Sequence, residues 1–93
     1  MTILYVVVSR GSSVLAEYTE LSGNFPQITR QLLTKIPEED NRMSYVYDKY
    51  IFHYLISDRI IYLAMCDEES KDNRRVPFAF LQDVMQKFRA NYG

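Results

Sequence analysis

The 93-residue chain has very few of the side chains that carry most metal and covalent chemistry: one cysteine, Cys66, and one histidine, His53. A lone cysteine forbids an internal disulfide and points to a reducing compartment rather than a secreted one. A metal cage needs several ligands within reach. His53 sits mid-run between aromatics with Cys66 a full strand away, so no metal site is expected and His53 reads as a packing or hydrogen-bonding residue. The three glycines are scattered at 11, 23 and 93, which excludes a Gly-rich phosphate loop. Neither sign of charge dominates: Lys and Arg total 11 against 12 Asp and Glu, for a net charge of −1. The basic surface that bulk nucleic-acid binding requires is therefore missing. No apolar run approaches the roughly 20 residues that span a bilayer. The opening "MTILYVVVSRG" has no basic leader and no small-residue cleavage site, so no signal peptide is expected. These absences together suggest a cytosolic chain, or the cytosolic part of something larger.

Catalytic constellations are equally thin. Cys66 is followed by Asp67, Glu68 and Glu69, acids expected to raise its pKa and suppress the thiolate. Glu38-Glu39-Asp40 and Asp67-Glu68-Glu69 read as solvated loop acids, since paired catalytic carboxylates more often project from rigid elements into a cleft. With no activated nucleophile and no acid–base pair, neither enzymatic activity nor a cofactor is expected.

What the chain does have is apolar surface: hydrophobic residues make up 47% and charged residues 25%, the balance of one ordinary globular domain. Ile3–Val8 is an unbroken, β-branched run, and Val14–Tyr18 returns after the turn "SRGSS", which predicts a hairpin. Asn24 is placed to cap a helix with Pro26 in its first turn and Gln27 completing a capping box. Phe25, Ile28, Leu32, Leu33 and Ile36 follow at helical spacing until Pro37. Met43–Tyr47, Tyr50–Ile56 and Ile60–Met65 predict a three-stranded meander broken by Asp48-Lys49 and Ser57-Asp58-Arg59. In the second of these, Phe52, Tyr54 and Ile56 alternate with Ile51, His53 and Leu55, so both faces need cover by helices. Asp67–Arg75 reads as a polar loop. Pro77 then opens a second helix with Leu81, Val84, Met85, Phe88 and Tyr92 on one stripe, widened by Phe78 and Phe80. Lys87 and Arg89 suit its C-terminal dipole. The order is ββ-α-βββ-α.

Arg42–Met65 holds five of the eight tyrosines. Met43, Tyr45 and Tyr47 share one strand face by the period-two rule. Two readings of that face stand side by side. As an edge strand it offers unpaired backbone groups and the Met and aromatic side chains favoured at binding hot spots. Alternatively, the first helix packs over it and leaves nothing for a partner.

"ILYVVVSRGSSVLAEYTELSGNF", "KIPEEDNRMSYVYDKYIFHYLISDRIIYLAM" and "FAFLQDVMQKFRANYG" together resemble the longin domain, the N-terminal module of the long R-SNAREs. The likeness is strongest to the vesicle-associated membrane protein branch, of the toxin-insensitive type found on late endosomes, lysosomes and plant secretory vesicles. Ser9 stands where that branch usually has Ala. The resemblance implies an α+β, profilin-like longin fold with helices on both faces of a five-stranded antiparallel (mixed) sheet, in the order 2-1-5-4-3. It implies one domain over residues 1–93, without the third helix, SNARE motif and membrane anchor of a long R-SNARE. Thinner cover on one sheet face then makes a homo-oligomer of the isolated module an expectation to test.

The resemblance also implies a protein-binding groove, with Ile28, Leu32 and Ile36 on one wall and Met43, Tyr45 and Tyr47 on the other. Met43 and Tyr45 match the family's groove-floor pair, Met replacing the usual Leu at similar volume. The implied partners are a SNARE motif, its own or another, adaptor subunits, and fragments of Arf GTPase-activating proteins or Rab effectors. Neither nucleic acid nor direct membrane contact by the domain is expected. The implied function is regulation of SNARE assembly and sorting in vesicle transport, on the cytosolic face of endosomal, lysosomal or secretory vesicle membranes. The alternative is a longin-like structural subunit of a trafficking or adaptor complex.

Overall fold

Two strands that are apolar on both faces set the architecture. The structure, a computed structural model, describes residues 3–11, 13–19, 25–37, 39–67 and 74–92. The elements are β1 (Ile3–Arg10), β2 (Ser13–Thr19), α1 (Phe25–Leu33), β3 (Asn41–Tyr47), β4 (Tyr50–Ser57), β5 (Ile60–Asp67) and α2 (Arg75–Tyr92). Residues 51–56 of β4 and 60–66 of β5 are buried throughout, which demands cover on both sides. The strands form one sheet in the order β2-β1-β5-β4-β3, and every pairing is antiparallel.

Two apolar layers result. On one face Tyr5, Val7, Phe52, Tyr54, Ile56, Leu63 and Met65 meet Leu33, Ile28 and Leu32 of α1. On the other, Val8, Leu55, Tyr62, Ala64 and Cys66 meet Leu81, with Phe78, Val84, Met85 and Phe88 of α2 packed against them. Ser9 is fully buried, and its hydroxyl has no hydrogen-bond partner among the described residues.

The turns follow from local chemistry. Asp58 and Arg59 both have positive φ, 54° and 67°, as a two-residue type I′ hairpin turn requires. Asp40 Oδ1 accepts the Asp58 N–H at 3.2 Å, and Arg89 donates to Asp58 Oδ2 at 2.9 Å and to Ser57 Oγ. Arg89 therefore clamps the β4–β5 turn, a specific contact beyond any dipole effect. Lys87 instead forms an exposed pair with Asp83 at 3.3 Å. Gly11 takes φ +57° at the β1–β2 turn, the left-handed conformation glycine adopts without a Cβ clash. Leu15 is the extra residue of a β-bulge, because Val8 pairs with Ala16 and Ser9 with Val14.

Two helix boundaries differ from the sequence expectation. α2 begins at Arg75, not Pro77. Phe78 N–H bonds to Arg74 C=O at 3.2 Å, so Pro77 falls inside the first turn, where no N–H needs an intrahelical acceptor. α1 ends at Leu33, before Ile36. Its last turn tightens through Lys35 N–H to Leu32 C=O (2.9 Å) and Ile36 N–H to Leu33 C=O (3.4 Å), the i→i+3 bonds common at helix ends. The expected cap at Asn24, and Gly23, Glu38, Glu68 and Glu69, lie outside the described residues, as do the side chains of Phe25, Pro26 and Tyr92.

Leu81 is the fully buried anchor of α2, whereas Val76 on the same helix is 45% exposed. Leu81→Ala is expected to cost about 2–5 kcal/mol of folding stability, through lost transfer energy and the cavity left behind. Val76→Ala should stay within about 0.5 kcal/mol. Urea denaturation of the two variants beside the parent measures the contrast.

Candidate protein-binding cleft

β3 is a border strand, paired with β4 alone. Its register sets Met43 opposite Tyr54, Tyr45 opposite Phe52 and Tyr47 opposite Tyr50. Cross-strand partners share a sheet face, and Phe52 and Tyr54 belong to the α1 layer. Met43, Tyr45 and Tyr47 therefore face the α1 side. α1 does not cover them: they are 47%, 49% and 41% exposed.

Between α1 and β3 lies a cleft of about 250 Å³, lined by Ile28, Gln31, Leu32, Lys35, Ile36, Tyr45, Tyr47 and Tyr54. Five of the six residues singled out from the sequence meet there. Met43 does not line the cleft; it lies next along the strand, beside Tyr54. Ile36 reaches the cleft although it lies past the helix end, because the tightened last turn keeps it against the same core layer.

Three lining residues were not singled out beforehand. Gln31 stands three positions after Ile28 and Lys35, in the turn that closes the helix, three after Leu32, where apolar periodicity alone does not look. Tyr54 follows from hairpin register, since a two-residue turn at Asp48-Lys49 fixes its position opposite Met43. Tyr47 is held edge-on to Phe52, with centroids 6.4 Å apart at 66°, so the rim is seated on the core. Burial raises the Tyr54 pKa, and its phenol stays neutral.

The opposite face of β3 is different in kind. Ser44 Oγ lies 2.7 Å from His53 Nδ1, and the His53 ring meets Phe78 edge-on at 5.5 Å. Burial pushes the His53 pKa down to about 4, helped by the Arg74 charge. His53 is thus a neutral, hydrogen-bonded core residue. Cys66 is buried, and its pKa is pushed up to about 12. Burial is the larger cause and the Asp67 charge, expected from the sequence, the second. Tyr5 donates to Glu17 Oε2 at 2.7 Å, and burial raises its pKa, reinforced by that carboxylate. Among the described residues no three His, Cys, Asp or Glu side chains gather into a metal cage, and no helix is long and apolar enough to cross a membrane.

This sheet order with a helix on each face is that of a longin fold. The longin family model, described as a regulated-SNARE-like domain, matches residues 15–93, and the chain belongs to that family. Over all 93 residues it is 58% identical to vesicle-associated membrane protein 7B of Dictyostelium discoideum, covering 35% of that protein. It is 42% identical to vesicle-associated membrane protein 7 of Mus musculus, covering 41%. It is also 44% identical over 94 residues to vesicle-associated membrane protein 711 of Arabidopsis thaliana, covering 42%. The chain thus spans well under half the length of these relatives.

The depressed His53 pKa has a consequence for stability. The folded pKa lies below the ordinary value of 6.5, so between about pH 6.5 and 4 the unfolded chain binds the extra proton. Stability therefore falls as pH drops through that window. At pH 5 the loss relative to pH 7 is expected to be about 2 kcal/mol. Denaturation of the parent and of His53→Gln at both pH values checks this, since the variant should show a much flatter response.

Proposed function

We propose that the chain is the protein-binding regulatory domain of a vesicle R-SNARE, and that the α1/β3 cleft is where it takes up a partner. The reading rests on one observation: Tyr45 and Tyr47, half exposed on a border strand, face Ile28, Leu32 and Ile36 across a cleft that no other part of the described chain fills. Exposed aromatic surface beside an amphipathic helix is what a partner's apolar anchors need. The names of the relatives associate such chains with vesicles.

On this reading the partner is a SNARE motif, of the same protein or another, or a segment of a trafficking regulator. Its occupancy of the cleft controls when SNARE assembly proceeds. Met43 lies beside the cleft and contributes where the partner runs on along β3. The domain works on the cytosolic face of endosomal, lysosomal or secretory vesicle membranes.

Titration of a synthetic R-SNARE-motif peptide against the parent and Met43→Ser/Tyr45→Ser tests the reading. Loss of one central anchor is expected to cost about 2 kcal/mol, about thirtyfold in affinity. Both side chains are half exposed, so the fold should persist, as circular dichroism can verify. Equal affinities with intact folds would remove the cleft from the account.

A further inference from the structure

On the side of β3 away from the cleft, Arg42, Arg74 and Arg75 surround Phe78 and, with Ala79 and Gln82, line an open cavity of about 460 Å³. All three arginines are exposed, and the Arg42 guanidinium lies 6.0 Å from the Phe78 ring centroid. The described ion pairs use Lys87 and Arg89, and no described carboxylate pairs with any of these three arginines. The first turn of α2 carries no acidic residue. Among the described residues three like charges thus converge with the positive end of a helix dipole, on a chain whose net charge is −1.

The cavity opens along the same border strand as the cleft. A two-residue turn makes Tyr47 and Tyr50 the closing hydrogen-bonded pair of the β3–β4 hairpin. Alternation then turns the backbone N–H and C=O groups of Arg42, Ser44 and Val46 away from β4, toward the open border. Asn41 Oδ1 covers the Arg42 N–H at 2.8 Å. A strand added at this border would place alternate side chains on the two sheet faces. Residues opposite Met43, Tyr45 and Tyr47 would point to the cleft side, and the residue opposite Arg42 to the arginine side.

We infer that the arginine cavity receives a carboxylate side chain of the same extended partner segment whose apolar side chains occupy the cleft. The partner is thus a β-adding segment in which apolar and acidic residues alternate. Guanidinium forks match carboxylates bidentately, and alternation at an open edge delivers one to Arg42 with no further adjustment. An anionic lipid headgroup would share the charge but would not use the strand edge. The inference rests on the cleft reading above and names its partner class.

Two short capped peptides, one alternating Leu with Glu and one alternating Leu with Gln, test it, because their repeat makes the outcome independent of register and direction. The parent should bind the Leu/Glu peptide about tenfold more tightly, and Arg42→Gln/Arg75→Gln should abolish that preference while leaving Leu/Gln binding unchanged. Met43→Ser/Tyr45→Ser should weaken both peptides alike. No preference for Glu, or a preference that survives Arg42→Gln/Arg75→Gln, overturns the acidic-partner inference and leaves the cleft reading standing. Indifference of both peptides to Met43→Ser/Tyr45→Ser, or no binding of either by the parent, sinks the cleft reading and this inference with it. Sedimentation with phosphatidylserine-containing vesicles, lost in Arg42→Gln/Arg75→Gln while peptide binding is not, would assign the cavity to a headgroup and overturn the inference.

Discussion

The need to cover β4 and β5 on both faces governs the rest of the molecule. These two strands have almost no solvent-accessible side chain between them. A helix is about 10 Å across and strands lie about 4.8 Å apart, so one helix shelters about two strands of a five-stranded sheet. Among the described residues each face carries one helix, and α2 lies down on β4 and β5. The borders of the sheet therefore go short of cover. β3, with its Met and Tyr side chains half exposed, is the clearest result. The cleft is thus a by-product of where the greasiest strands sit.

β3 is consequently two-faced. Toward α1 it presents Met43, Tyr45 and Tyr47, seated on Phe52 and Tyr54. Toward α2 it presents Arg42 and Ser44, the latter bonded to a histidine that burial keeps neutral. The imidazole gives up its proton and joins the core, whereas a guanidinium cannot be neutralised and stays in water unless a carboxylate or phosphate accompanies it. That difference explains why His53 packs under Phe78 while Arg42, Arg74 and Arg75 remain outside around the same ring.

Much of this was legible in the residues, though unevenly. The meander could be read from Asp48-Lys49 and Ser57-Asp58-Arg59, because short polar breaks between apolar runs leave few alternatives to hairpins. The double-sided alternation of Phe52, Tyr54 and Ile56 with Ile51, His53 and Leu55 indicated helices on both faces. The strand order was different in kind, since it came from the family resemblance and no periodicity encodes which strands become neighbours. Pro77 and Ile36 misled at the helix ends for one reason: terminal turns tolerate residues that a regular interior would not. At the cleft, Tyr54 was within reach of register arithmetic. The meeting of Arg42 with Arg74 and Arg75 was not, since only the tertiary fold joins residues so far apart in the chain.

The two borders of the sheet are also unlike each other. β2 is interrupted by the bulge at Leu15, which breaks the regular spacing a newcomer strand would need, while β3 runs without a register shift. Endless strand-on-strand stacking requires every copy to offer a docking rim at both ends. Here the β3 rim carries no such bulge, whereas a strand added at the β2 border would find a less regular template. Such asymmetry favours a single strand-on-strand clasp over open-ended polymerisation.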